Sequence, residues 1–156
     1  MKKVILLSAL FLACIFTYSF RDKSQAKSNI VKVFFDRNSD TPCDKSPEKK
    51  DYSGSKTITD IASRVINQSK IIYLRSFSGY DEDNRQELMD KRTDNIKTLL
   101  IKAGVDEKSI ISEYCQPKHI DLPVKKAAVD TVKSELKKEK LLSSNRFTEV
   151  KILTKK

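Results

Sequence analysis

Asn84-Arg85-Gln86-Glu87-Leu88-Met89-Asp90-Lys91-Arg92-Thr93-Asp94-Asn95-Ile96-Lys97-Thr98-Leu99-Leu100-Ile101-Lys102-Ala103-Gly104 is the stretch that decides the fold. Leu88, Ile96, Leu99, Leu100 and Ala103 recur at helical spacing and form one apolar stripe. Asn84 is a favoured N-cap residue with Glu87 at the third helical position, and Gly104 supplies a left-handed stop. One residue breaks the stripe. Arg92 lies four residues after Leu88 and four before Ile96, so a guanidinium sits on the face that turns toward the core. Two readings of it stay open: the side chain snorkels to the edge of the stripe, or its planar fork reaches into a crevice and binds a carboxylate. The first turns of a helix that follows a strand lie beside the carboxyl ends of the sheet, where such crevices form.

Outward from this helix, Ile30-Val31-Lys32-Val33-Phe34-Phe35 is β-branched and aromatic and reads as a first strand. A long polar loop, 36–55, follows it. Ile58, Ile61, Ala62, Val65 and Ile66 then mark a short helix over 57–67, with Thr57 and Asp60 resembling a capping box. Residues 70–77 form a second strand and 110–114 a third. A third helical pattern over 124–142 places Ala128, Val132 and Leu136 on one face, and 147–153 closes the chain as a strand with Thr148, Val150 and Ile152 on one side. The expected class is α+β, in the order βαβαβ(α)β: a mixed four-stranded sheet with helices packed on it.

The N-terminus reads Met1-Lys2-Lys3 and then an almost unbroken apolar run from Val4 to Phe20. That pattern predicts an exported chain: a signal peptide or membrane anchor over 1–26 and one domain over 27–156. Three fates are open: cleavage after Ala26, retention as an anchor, or lipidation at Cys14, which follows Phe11-Leu12-Ala13. Each places the folded part outside the cytoplasm, with membrane contact only through this segment. In an oxidising compartment Cys43 and Cys115 are candidates for one disulfide, against the alternative of two free thiols. The 156 residues carry 31 basic and 21 acidic side chains, a net +10. Setting residues 1–26 aside leaves +7, from 27 basic and 20 acidic groups. The lysines are interleaved with Asp and Glu, which describes a solvated surface; the chain has no zinc-finger spacing and no Arg-rich arm, so no nucleic-acid partner is expected. With Cys14 set aside in the leader, two cysteines and one histidine, His119, without close spacing predict neither a metal nor a cofactor, and the pattern contains no nucleophile–base pair that would make an enzyme.

Four segments in order resemble the OmpA-like domain, the peptidoglycan-associating C-terminal domain family, over about residues 30–153. Val31-Lys32-Val33-Phe34-Phe35-Asp36 is similar to its opening "V-x-F-x-F-D" strand. Residues 84–96 are similar to its "N-x-x-L-S-x-x-R-A-x-x-V" helix, with Leu88 and Arg92 on the motif leucine and arginine. Residues 99–110 resemble the "L-x-x-x-G-V-x-x-x-R-I" tail, and Asn145-Arg146-Phe147-Thr148-Glu149-Val150-Lys151-Ile152 the closing "N-R-R-V-E-I" strand. The resemblance implies a non-catalytic envelope protein, in the periplasm or associated with the outer membrane. It implies non-covalent capture of the peptidoglycan stem peptide, with other envelope proteins as further partners. In the family the helix arginine takes the diamino acid's carboxylate, and an aspartate of a "G-x-T-D" turn takes its ammonium. Arg92 stands at the arginine position. Ungapped counting puts Phe77 where the aspartate belongs; a shorter turn brings Asp81 into that role, with Asp83 as a poorer option. Asn84 falls four residues before Leu88 where the family has three, leaving Arg85 in register. The ligand-contact candidates are therefore Arg92, Asp81, Asn84 and Arg146. The alternative to wall binding is an OmpA-like fold retained as a protein-interaction or structural envelope module.

Overall fold

The computed structural model describes residues 29–119 and 121–154. The expected leader over 1–26, with Cys14, lies outside the described residues. The elements run β1 (Asn29–Phe34), α1 (Gly54–Ser63), β2 (Lys70–Ser76), α2 (Arg85–Lys102), a 3-10 turn at Glu107–Ser109, β3 (Ile110–Glu113), a second at Pro117–His119, α3 (Lys126–Asp130), α4 (Glu135–Ser143) and β4 (Phe147–Thr154). The four strands form one sheet in the order β1-β4-β2-β3. β2 and β3 are parallel, and β4 runs antiparallel to both β1 and β2. This is the expected α+β class with a mixed sheet. Its consequence for the site is simple: β1, β2 and β3 all point the same way, so the loops that leave them gather at one end.

Alternation along the strands divides the sheet into two faces. Val33, Ile72, Leu74, Val150 and Ile152 face the helices and meet Ile58, Ile61, Ile96 and Leu100 in the main core. Ile96 and Leu100 are fully buried on α2, so truncating either to Ala costs about 2–5 kcal/mol. Beyond Leu100, Gly104 adopts φ 95°, and the N–H of Val105 donates to Leu100 at 3.0 Å, closing the helix as the glycine predicted. On the other face a smaller aromatic layer forms from Phe34, Tyr52, Phe77, Leu122 and Phe147. The Tyr52 hydroxyl accepts the Phe34 N–H at 2.9 Å. Burial, which that contact only partly offsets, pushes its pKa up to about 12.

Two local expectations are corrected. The first helix starts at Gly54, three residues before Thr57, because Ser53 is in extended backbone and its hydroxyl accepts from Lys56 N–H. Thr57 instead turns its hydroxyl back onto the Ser53 carbonyl at 2.7 Å. Gly54 is packed so tightly that a Cβ would stand 2.7 Å from the Cys43 carbonyl oxygen, which explains a glycine at the first helical position. The third helix is broken. α3 and α4 are separated at 131–134, where Thr131, Val132 and Ser134 are weak helix formers. The expected face of Ala128, Val132 and Leu136 does not pack: Val129 and Leu142 are the buried residues, and Leu136 is 83% exposed.

Candidate functional site

Arg92 is fully buried, and its fork is full. Its Nε donates to the Ser39 carbonyl at 2.8 Å. Nη1 donates to the Phe77 carbonyl at 2.9 Å and to Glu82 Oε2 at 3.0 Å. Nη2 donates to the Asp36 carbonyl at 3.2 Å and to Glu82 Oε1 at 2.5 Å. A guanidinium has five N–H donors, and each has an acceptor. The Phe35 ring adds a face 4.7 Å from the guanidinium carbon. Helix α2 thus carries a cation into the sheet end, where it ties together the loop after β1, the exit of β2 and the turn before α2.

The acceptor Glu82 is equally saturated and equally buried. Besides the two Arg92 contacts, Oε1 accepts the Asn38 N–H at 3.0 Å and Oε2 accepts the Gly79 N–H at 2.7 Å. Burial alone would raise its pKa; the hydrogen bonds and charge of Arg92, then the two backbone donors, outweigh that and hold the carboxyl below the usual range. Glu82 reaches this position from a short turn whose backbone is pinned. Asn38 and Asn84 both occupy the left-handed region, at φ 55° and 44°, which Asn tolerates better than most residues. The Asn38 side chain donates to Asp83 Oδ2 at 2.9 Å and accepts the Asp83 N–H at 3.0 Å. Asn95, one turn beyond Arg92, donates to the Asp40 carbonyl at 2.8 Å and holds the same loop down.

The remaining candidates fall into a second group. Asp81 does not face Arg92: its Oδ2 accepts from Nη2 of Arg146 at 2.6 Å. Arg146 is itself buried and takes Glu139 with Nη1 at 2.6 Å and Nη2 at 3.1 Å. That bond and the Arg146 charge, working against partial burial, lower the Glu139 pKa. Arg37 joins the group at 3.3 Å from Asp81. Asn84 precedes α2 but its side chain makes no cap, because left-handed backbone turns the amide away from the helix N–H groups. Phe77, at the family's acid position, stacks on Phe147 with centroids 4.4 Å apart. The sheet end therefore brings together Arg92 and Glu82, while Asp81 and Arg146 pair beside them.

Sequence reasoning missed Glu82 and Glu139. Glu82 is the middle acid of Asp81-Glu82-Asp83, and only the backbone path of the turn selects it. Glu139 is seven residues from Arg146, two helical turns' reach that no pairing rule encodes. The candidate bridge between Cys43 and Cys115 is not formed, and both thiols are free. Cys43 sits beside β1, donating its N–H to Phe34, and Cys115 lies just past β3, with β4 and β2 in between. Three strand spacings amount to roughly 14 Å, well beyond disulfide reach. Burial raises both thiol pKa values, away from nucleophilic thiolate. Among the described residues no group of His, Cys, Asp or Glu is placed to hold a metal ion.

No family model matches the chain, and no curated protein is significantly similar to it. Solved structures are. The periplasmic domain of Helicobacter pylori MotB (residues 90–256) superposes at a TM-score of 0.54 and 18% identity over 83% of this chain and 75% of that one. The peptidoglycan-associated lipoprotein of Burkholderia pseudomallei gives 0.54 at 13% identity, over 78% and 88% of the two chains. The OmpA-like domain of FopA1 from Francisella tularensis gives 0.51 at 13% identity, over 81% and 73%. Against a MotB periplasmic domain spanning residues 64–256, this chain covers 65% of the other's length. The fold is the OmpA-like fold, in a divergent sequence.

Proposed function

We propose that this chain is a non-catalytic module of the bacterial cell envelope that keeps the OmpA-like fold and fills its ligand crevice with its own carboxylate. On this reading the domain serves as a structural or protein-interaction element, and Arg92 is a structural cation. The observation that carries it is the saturation of Arg92: all five donors have partners inside the chain, and the carboxylate they grip belongs to Glu82. A stem-peptide carboxylate must displace a buried, four-fold hydrogen-bonded acid to enter, and it finds Phe77 where an ammonium needs a negative partner. The envelope setting is supported by the leader-like charge and apolar pattern at the N-terminus and by the periplasmic and peptidoglycan-associated proteins that share the fold. The non-catalytic reading rests on the sequence, whose pattern contains no nucleophile–base pair.

One observation favours a second reading, in which the domain associates with peptidoglycan through the stem peptide. Arg92 already clamps a carboxylate with two parallel bonds, and that carboxylate comes from a turn. If the turn swings out, the fork is free for a ligand acid of the same shape. Co-sedimentation with purified sacculi separates the two. The first reading predicts that an excess of free diamino-acid stem peptide releases no protein from the pellet, for wild type. Release of wild type by that peptide, together with stronger retention of Glu82→Gln, overturns it and establishes the second.

A further inference from the structure

Away from Arg92, a groove of about 740 Å³ runs between the loop after β1 and helix α4. Phe34 and Cys43 form its floor, and Leu136 stands on the α4 wall. An aliphatic side chain left 83% exposed at such a place costs hydration free energy that burial against a partner would recover. Single exposed leucines are ordinary on protein surfaces, so Leu136 alone says little. Its surroundings say more. Lys45, Lys49 and Lys50 line the groove from the loop side and Lys140 from the helix side. None of the four has an ion-pair partner among the described residues.

The acids of the groove are mostly spent. Glu48 is held by Lys32 at 2.6 Å, and Glu139 by Arg146 at 2.6 Å. Asp36 is the one lining acid without an ion pair among the described residues, against four unpaired lysines. Like charges collected on facing walls of a concave, low-dielectric surface focus a positive potential into it. The complementary occupant is acidic, with an aliphatic group to cover Leu136 and the floor. Its shape is set by the groove: a flat membrane surface cannot reach a floor between two walls, whereas an extended chain can. A second copy of this protein is disfavoured by its own net charge of +7 over residues 27–156.

We propose that this groove docks an extended acidic segment of a partner protein, anchored by an aliphatic side chain against Leu136 and the floor beside Phe34 and Cys43. The proposal rests on the interaction-module reading and names its partner's chemistry, but it uses neither Arg92 nor Glu82. The test is fluorescence anisotropy of the full chain with a labelled synthetic peptide of alternating glutamate and leucine. Its counterpart with lysine for glutamate serves as control, and vesicles of phosphatidylglycerol and phosphatidylcholine as the membrane arm. The expected result is salt-sensitive binding of the acidic peptide only, weakened roughly tenfold or more by Lys49→Glu with Lys140→Glu and by Leu136→Asp. All three positions are exposed, so the variants retain the fold. Equal binding of both peptides, unchanged binding by the variants, or capture by vesicles without peptide binding would each overturn it. Release from sacculi by stem peptide would overturn the closed crevice and leave this groove standing, so the two failures are distinguishable.

Discussion

The carboxylate of Glu82 closes on the guanidinium of Arg92 at 2.5 and 3.0 Å, with neither side chain exposed to solvent. An isolated buried charge is intolerable, so each group is stable only because the other is present. The pair is a joint between α2, the turn before it and, through the Asp36 and Ser39 carbonyls, the loop after β1.

Removing one partner is therefore severe. Glu82→Ala strands the Arg92 cation and is expected to cost about 3–5 kcal/mol, read as a drop in the urea midpoint. Glu82→Leu combined with Arg92→Met should recover part of that loss, since no charge is left unpaired. It should not recover all, because the carbonyls of Asp36, Ser39 and Phe77 lose their donor.

The same pair sets a pH dependence. Glu82 has a folded pKa below its unfolded value, so the unfolded chain binds the proton more readily. The contribution to stability is complete above the ordinary glutamate range and drains as pH falls through the lowered folded value. Urea midpoints measured from neutral pH down into that acid range should fall for wild type, and the slope should flatten in Glu82→Gln.

Placing an acid at position 77, where the OmpA-like motif carries one, does not make a site. Phe77 is 7% exposed and stacked on Phe147, inside the aromatic layer with Phe34 and Tyr52. Phe77→Asp removes that packing and buries a carboxylate among rings, an expected loss of at least about 3 kcal/mol. A circular-dichroism melt of the variant checks it; a fold as stable as wild type with new affinity for stem peptide would contradict it.

Both thiols should alkylate. Native protein treated with iodoacetamide under non-reducing conditions is expected to gain two labels at Cys43 and Cys115, slowly near neutral pH and faster as pH rises, because burial raises both pKa values.

The parts of this fold that the sequence announces are those fixed by local rules. The stripe of Leu88, Ile96 and Leu100, the stop at Gly104 and the alternation of Thr148, Val150 and Ile152 each specify their element without help from distant residues. Arg92 was conspicuous for the same reason, being a charge in an apolar stripe. What it meets was not. Glu82 arrives through a turn held by Asn38, 44 residues earlier, a contact created by the tertiary fold. The third helix failed for the opposite reason: a periodic pattern over Ala128, Val132 and Leu136 had no tertiary surface to pack on, and weak formers at 131–134 let it break.

The most direct test is the Arg92 side-chain Nε–H resonance in a nitrogen-edited NMR spectrum. A guanidinium clamped by Glu82 and the Ser39 carbonyl gives a sharp signal, protected from solvent exchange and unmoved when stem peptide is added. An Arg92 signal that exchanges as fast as exposed arginines do, or that shifts on titration with stem peptide, would contradict a self-closed crevice.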